Sequence, residues 1–557
     1  MGKVNTFWAF SKRIFYLLRF IGIDLQGVLR YNNKKPKREG IMRKRKIVAA
    51  MLAGVLSLLT LASCGQQNTN ANSAGGTIKR QILCAPQMQY TLSGSQVLEI
   101  PIQQEIGDKN YIFMELTTDV NLVGYIHYEN SKNSAQKNAE KIFIEKGAKD
   151  FAGFLDAFRV GAYGAFEKKI TKLTLQNVDK ELGQVVLNVV GVSNRTYDVN
   201  AELYIQDEHL KMGTSLSMGG TIRHLEKCNT DVVEYVDEEG NIRIEPNVDK
   251  TQVDMVTDTV NFVNVHDLGR EIQQSYYSSV GAENGYAPTE DVLYGATLHY
   301  NPVQAGSTGD KQSQIIDFTQ TENTLYVKTR PLEWFFDNRL SDSYMENTYI
   351  LSGDGALLVR NRFVNFSGFT DMDKTSVMPQ ELPAVYLVQP LNYFYCETIE
   401  GTIFDPNLHP LPTTNAKESL SHTVTGGYHY SLQNEKLINA WAAFVNGDKF
   451  GVGIYMPKAD RYSASRGWTS TSCELFANQQ YDRAFYDFAG VKYVPSACVD
   501  NYNYFSPASS LKMMDFIPLE YEYAIYVGHV DEMRSIFQEY RDNRVIENFG
   551  LLAWDSH

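Results

Sequence analysis

The sequence predicts an all-β protein made of two successive β domains. Three observations carry this: 34 Tyr and 28 Phe against 5 Trp, clustered in short runs; period-two alternation in those runs; and turn signals about every eight to twelve residues. Tyr111-Ile-Phe-Met-Glu-Leu116 and Tyr521-Glu-Tyr-Ala-Ile-Tyr526 show the alternation most clearly. One segment breaks it. Val530 to Arg544 opens on Asp531-Glu532 and repeats apolar residues at Met533, Ile536, Phe537 and Tyr540, the pattern of a terminal helix packed on a sheet.

Residues 78–205 read as the first domain, a β-sandwich with strands such as VLEIPI, YIFMELTT, NLVGYIHYE and QVVLNVVGVS. Within it FAGFLDAFR, Phe151 to Arg159, reads as an amphipathic or irregular insert. A break follows at Gln206-Asp-Glu-His-Leu-Lys-Met-Gly213, and residues 211–543 form the larger domain, with 544–557 a tail. Asp237 to Thr259 is acidic, with a turn at Glu238-Glu239-Gly240-Asn241, and reads as a solvated excursion. No internal repeat is evident.

The first 77 residues are of another kind. Met42-Arg-Lys-Arg-Lys46 is a compact basic start, and Ile47 to Leu61 runs apolar apart from Ser57 and Thr60, too short to span a bilayer comfortably. Leu61-Ala-Ser-Cys64 follows at once and looks like a bacterial lipobox. It implies a signal peptide over 42–63, lipidation of Cys64 and an extracytoplasmic place on the outer face of the cytoplasmic membrane. The competing reading is a single membrane anchor with an incidental cysteine. Residues 1–41 read as an upstream start-site misassignment, or as an amphipathic membrane-surface helix. Residues 64–77, rich in Gln, Asn, Ser and Gly, form a flexible tether.

Beyond Ser63 the chain carries 39 Lys and Arg against 63 Asp and Glu, a formal charge of −24, which argues against nucleic acid as a partner. With Cys64 lipidated, Cys84, Cys228, Cys396, Cys473 and Cys498 remain, an odd and scattered set that is no disulfide framework, though a Cys473–Cys498 bridge is open. No spacing suggests structural zinc, and no metal or cofactor is expected. A monomer is expected.

The richest polar stretch is Val265 to Tyr277, with His266, Asp267, Arg270, Glu271, Gln273, Gln274, Tyr276 and Tyr277. As a strand it places Gln273 and Ser275 on one face with Tyr277, and Gln274 on the other with Tyr276. Polar side chains pointing into a sheet are costly unless they meet a polar ligand or each other, and a sugar is a natural partner. Asn301 and Gln304 add amides beside Pro302, where the competing reading is a polar turn that satisfies its own backbone. Glu381, between Gln380 and Leu382-Pro383, is a carboxyl in apolar surroundings whose pKa desolvation would raise, as a general acid requires; an exposed loop glutamate is the alternative. Trp441 could form a stacking platform, with core packing the preferred reading.

The ordered set GREIQQSYY, YNPVQAG, QELPAVY, WAAFVNGDKFGVGIY and LEYEYAIYVG resembles a group of secreted bacterial proteins in which a sandwich module precedes a galactose-mutarotase-like supersandwich, generally grouped with carbohydrate-active proteins. The likeness spans most of Lys211 to Gly528. The first domain is similar in layout to jelly-roll accessory modules. The paired glycines in Leu216 to Leu225 resemble an opening strand that bends across the large sheet. The resemblance implies an N-terminal jelly-roll-like β-sandwich followed by a large β-supersandwich. It also implies a sugar cleft holding an arginine and a late glutamate, for which Arg270 and Glu381 match in character. The characteristic histidine pair of mutarotases has only loose counterparts in His266 and His299, so mutarotation itself is not implied.

The expected function is a carbohydrate-active protein that cleaves glycosidic bonds. Glu381 would be the acid or base and Asp267 or Glu271 the second carboxylate. Arg270, Gln273, Gln274, Tyr277, Asn301, Gln304, Trp441 and His266 would contact the glycan. A lyase would instead neutralise a uronate with Arg270 or Asn301 and abstract the C5 proton with His266 or Tyr277. A non-catalytic glycan-binding lipoprotein is the alternative from a different class.

Overall fold

The computed structural model describes residues 78–129, 139–155, 169–194, 198, 200–253, 255–266, 268–278, 300–307, 311–334, 339–368, 377–404, 430–466, 486–488, 491–493, 495–499 and 501–546. The segment Met42 to Cys64, the tether, Asp267, His299 and Cys473 lie outside the described residues.

The first domain is a two-sheet antiparallel sandwich. One sheet runs Arg80–Cys84, Gly183–Ser193, Tyr111–Thr118, Asp150–Phe154, with Met88–Leu92 also on Gly183–Ser193; the other runs Val97–Glu105, Lys169–Asn177, Leu122–Glu129, Ala139–Ile144. The alternation read from the sequence sets the faces: Ile112, Met114 and Leu116 point into the core with Leu173, Leu175 and Val190, while Glu115 and Thr117 face outward. The start of FAGFLDAFR departs from expectation. Asp150–Phe154 is a strand, because Tyr111–Glu115 offers it an antiparallel ladder, and those hydrogen bonds outweigh a local amphipathic pattern.

The larger domain faces a ten-stranded sheet against a nine-stranded one across a single core. The first has as its main path Glu202–Gln206, Leu210–Ser215, Ile222–Lys227, Ile272–Ser275, Val377–Val388, Tyr502–Lys512, Arg461–Arg466, Tyr430–Gln433. Its partner includes Ser343–Leu351, Ala356–Asn365, Leu519–His529, Phe450–Tyr455 and Leu437–Val445. Strand Leu519–His529 shows how both faces are filled. Tyr521, Tyr523, Ile525 and Val527 enter the core between the sheets, while Ala524 and Tyr526 lie under the helix Val530–Asn543 with Met533, Phe537 and Tyr540. The helix starts where the Glu532 carboxylate accepts the His529 backbone N–H at 3.1 Å, and it ends at Arg544, with φ 51°.

Two boundaries differ from the sequence reading. The segment at Gln206–Gly213 is a hairpin: Asp207 Oδ1 accepts the N–H groups of His209 (2.7 Å) and Leu210 (2.8 Å), and Glu202–Gln206 pairs with Leu210–Ser215. Leu203 and Ile205 therefore pack in the larger core, and residues 202–205 belong to that domain. A turn-forming aspartate has the same polar signature as a linker. Gly219 and Gly220, both at positive φ, turn the chain so that Leu210–Ser215 and Ile222–Lys227 lie antiparallel side by side, where a single strand bending across the sheet is expected. A Cβ on Gly219 would come within 2.1 Å of the Gln304 carbonyl oxygen, so the close approach requires glycine.

The domains share structure at Arg330, only 2% exposed. It donates to the carbonyls of Ser341 (2.6 Å) and of Lys141 in the first domain (3.1 Å), and it pairs with Asp342 (3.2 Å) and Glu140 (3.4 Å). Tyr344, Val364 and Phe366 complete the first domain's core from across this junction. Cys84, Cys228, Cys396 and Cys498 are free thiols. No helix among the described residues is long and apolar enough to cross a membrane.

Within the stretch read as a solvated excursion, Ile242–Pro246 and Met255–Thr257 pair on either side of the strand just before it, Val232–Val236, and this three-stranded sheet buries Glu234. The Glu234 carboxyl accepts the Ser496 N–H at 2.9 Å and the Ser496 hydroxyl. Burial, only partly offset by these bonds, raises its pKa from 4.5 to about 7. A carboxyl raised in the folded state binds its proton more tightly there than when unfolded, so the contribution of Glu234 to stability is full below pH 4.5 and is lost as the pH rises towards 7. Wild type should lose on the order of 2–3 kcal/mol across that window relative to Glu234→Gln. Calorimetry at pH 4.5, 6 and 8 checks this, and parallel curves for the two proteins would contradict it.

Candidate functional site

The outer face of the ten-stranded sheet, away from the core, is where part-exposed polar side chains gather. Strand Val377–Val388 runs against Tyr502–Lys512 with Glu381 opposite Ala508 and Tyr386 opposite Tyr504. A register shift lies between them. In an unbroken strand, positions five apart point to opposite faces; the irregularity puts Glu381 and Tyr386 on the same one. From the same strand Gln380 clasps the backbone of Tyr277, just beyond the neighbouring strand Ile272–Ser275, accepting its N–H at 2.7 Å and donating to its carbonyl at 2.9 Å. That clasp sets the Tyr277 phenol beside Glu381.

Both oxygens of Glu381 are held by phenols: Tyr277 donates to Oε2 at 2.7 Å, and Tyr504 donates to Oε1. The Tyr386 ring lies 4.9 Å from that of Tyr504 and 5.1 Å from that of Tyr502, and the Arg270 guanidinium sits 4.5 Å over Tyr502. All six side chains are half-buried. Protein packed around Glu381 raises its carboxyl above the usual range, while the Tyr504, Tyr277 and Ser275 hydroxyls hold it down, and burial wins. Burial, and then the Glu381 charge, push the phenols of Tyr277 and Tyr504 well above 10. The result is a carboxyl that can exchange a proton, with two phenols that stay protonated as donors.

Of the residues singled out in the sequence, Arg270, Tyr277 and Glu381 meet on this face. The others lie elsewhere. Gln274, fully buried, donates to the Glu346 carbonyl (3.0 Å) and Asn347 Oδ1 (2.9 Å) and accepts from Tyr276 (2.6 Å). Gln304 donates to the Gly219 carbonyl (2.8 Å) and accepts the Gln274 N–H (3.1 Å). Gln273 bonds the Gly269 carbonyl and the Ala305 N–H, and Asn301 the Tyr276 carbonyl at 2.7 Å. These four amides are the protein's own interior hydrogen-bonding groups. Glu271, with 0% exposure, accepts the Gly269 N–H (3.2 Å) and lies 3.6 Å from the Arg223 guanidinium, so it is no cleft carboxylate. His266 is buried, and its backbone N–H donates to Asn264 Oδ1 at 3.2 Å. Trp441 is a core side chain stacked on Tyr395 (5.7 Å) under the terminal helix. Asp267 lies outside the described residues. Among the described residues no group of three or more His, Cys, Asp or Glu could hold a metal ion.

Tyr386, Tyr502 and Tyr504 were not singled out in the sequence. Their signal was present: in Tyr502-Asn-Tyr-Phe505 the tyrosines alternate with Asn503 and the core residue Phe505, so they share the opposite face.

The sequence matches no protein-family model and no curated protein. Solved structures are similar over about three-fifths of the chain, among them the following three. The 4-alpha-glucanotransferase from Thermococcus litoralis is 11% identical over 60% of this chain and 38% of that one, with a TM-score of 0.27. A galactose mutarotase related enzyme from Lactobacillus acidophilus is 13% identical over 59% of this chain and 97% of its own, with a TM-score of 0.30. A GalM/aldose epimerase homologue from C. elegans is 10% identical over 59% and 99%, also at 0.30. None of the three carries a residue's role onto this chain.

The interior amides have a measurable signature. Asn301→Ala removes a buried bond to the Tyr276 carbonyl and should cost about 1–3 kcal/mol of stability. Thermal denaturation of wild type and variant checks this, and an unchanged midpoint would contradict it.

Proposed function

We propose that this chain is an extracytoplasmic, lipid-anchored, carbohydrate-active protein that works on a poly- or oligosaccharide at the Tyr277–Glu381–Tyr504 face. The observation that carries the reading is Glu381 itself: a part-exposed carboxyl with a raised pKa, held on both oxygens by phenols and flanked by further tyrosines and an arginine. Tyrosine faces suit the C–H surfaces of a pyranose, and phenol, carboxyl and guanidinium groups suit its hydroxyls. Glu381 protonates the departing glycosidic oxygen, and Tyr277 and Tyr504 hold the carboxylate that results.

Hydrolysis by this route also needs a second carboxylate to attack the anomeric carbon or activate water. Glu271, buried against Arg223, does not serve; Asp267 is the remaining candidate. Elimination is a second reading, and a specific placement favours it. Of the residues named for a lyase, His266 and Asn301 are buried in the protein, whereas Arg270 and Tyr277 share the Glu381 face. Arg270 would neutralise a uronate, and Tyr277, passing its own proton to the Glu381 carboxylate it faces, would take the C5 proton; Glu381 would then protonate the departing C4 oxygen, leaving an unsaturated sugar that absorbs near the ultraviolet edge.

The reading predicts that Glu381→Gln reduces product release by about 10²–10⁴-fold while retaining glycan binding. Tyr504→Phe removes a bond that stabilises the carboxylate and so raises the Glu381 pKa further. With Glu381 as the acid, the falling limb of the pH–rate profile should move to higher pH in that variant. If wild type releases no product from any bound glycan, the protein is a binding lipoprotein and the catalytic part of the reading is lost.

The anchor is tested apart from the chemistry. Cys64→Ser should abolish incorporation of labelled palmitate and release the protein from the membrane fraction of a bacterial host. Unchanged fractionation with no label in wild type would favour a membrane-spanning anchor.

A further inference from the structure

Directly across the sheet from Glu381 stands a cation that the glycan reading does not use. Glu381 is opposite Ala508 on the next strand, and Ala508 is opposite Arg461 on the one after. Cross-strand partners share a face, so Glu381 and Arg461 project the same way, roughly 9–10 Å apart at their Cα atoms, with only a methyl group between them. Arg461 is not committed elsewhere. It is 30% exposed, its ion pair with Asp460 is stretched to 4.0 Å, and its contact with the Ser510 hydroxyl is 3.4 Å. Such a pair at an exposed site contributes little, and the guanidinium can be redirected at low cost. Arg270, resting on Tyr502, is a second cation on the same face.

We infer that the site takes an anionic sugar, its carboxylate or sulfate held by Arg461 and its ring lying across Ala508 with the reacting bond at Glu381. The inference rests on the glycan reading above. Guanidinium suits both anions because its fork of N–H groups matches their oxygens in pairs. The formal −24 of the chain beyond Ser63 opposes it at long range, but that field is screened beyond about 8 Å at physiological ionic strength, so the nearby arginines decide. Burial, which raises the Glu381 carboxyl above its usual range, extends the pH range over which it is neutral and repels an incoming anion less.

The test titrates the full chain in detergent with three oligosaccharides of equal length: an oligogalacturonide, a sulfated galactan fragment and a neutral galactan fragment. Wild type should bind at least one acidic probe. Arg461→Ala should weaken that probe by about tenfold or more, and Arg461→Lys by less. The neutral probe should not respond to either change. Which acidic probe binds separates carboxylate from sulfate. Circular dichroism of the variants verifies that they are folded, as a part-exposed position at the start of its strand leads one to expect. If Arg461→Ala leaves acidic affinity unchanged, or if only the neutral probe binds, the anionic inference falls and the glycan reading stands. If no probe binds at millimolar concentration, both fall.

Discussion

The larger domain depends on one requirement: every polar group that strand Ile272–Ser275 buries must be hydrogen-bonded. The strand is short, and its register with Ile222–Lys227 consists of the single pair Ile222–Ile272. Side chains hold what so few ladder bonds cannot. Gln274 ties it to the opposite sheet through Asn347, and Asn347 continues through Asn361 to Tyr521. Gln304 and Asn301 tie it to the neighbouring segment, and Gln380 clasps Tyr277 at its end. An unmet amide in this interior would cost about 1–3 kcal/mol, so the network fixes the position of the strand as firmly as a longer ladder would. Tyr277 arrives beside Glu381 as a consequence.

The same sheet therefore does two jobs on its two faces. On strand Tyr502–Lys512, Phe505 and Leu511 fill the core, while Tyr502 and Tyr504 face outward. On Val377–Val388 the core residues are Leu382, Val385 and Leu387, and the register shift after Glu381 brings it into line with Tyr386. Neither strand could present these side chains without the packing behind it. The nine-stranded sheet backs that packing, and it is in turn covered by the helix Val530–Asn543.

How much of this could be read in the sequence follows from which signals are local. Period-two alternation is local, and it specified the all-β class and the inward faces of strands such as Tyr111–Thr118. The helix was legible because its apolar spacing and its acidic first turn lie within fourteen residues. Glu381 was legible as a carboxyl among apolar neighbours. Gln273, Gln274, Asn301 and Gln304 were misleading because a buried amide looks the same in sequence whether a ligand or a distant backbone carbonyl satisfies it. Gln274 finds its partner 73 positions away at Asn347, and no spacing rule reaches that far. Tyr386 was obscured in a different way: whether it shares a face with Glu381 depends on a register shift, and one residue of slippage exchanges core for surface. Tyr502 and Tyr504 were legible as a face by their alternation with Phe505, but not as neighbours of Glu381, 123 positions from Tyr504.

The hydrogen-bond pattern at Glu381 constrains any chemistry done there. A carboxyl that accepts from phenols on both oxygens is bonded as a carboxylate. Once it takes up a proton, the protonated oxygen becomes a donor, and the phenol facing it must turn its own hydrogen to another acceptor. Tyr277 has such a neighbour in the Ser275 hydroxyl, 3.4 Å away, an oxygen that can accept as readily as it donates. Tyr504 is packed against the Tyr386 ring and directs its hydroxyl at Oε1. Protonation is therefore accommodated more easily on Oε2, where a serine–tyrosine pair can reverse its hydrogen bonds without moving a heavy atom. Burial favours the neutral carboxyl and the phenols favour the charged one. Because the phenol on Oε2 can turn its hydrogen to Ser275, the group can pass between its two states without rebuilding its surroundings, as a residue that exchanges protons must.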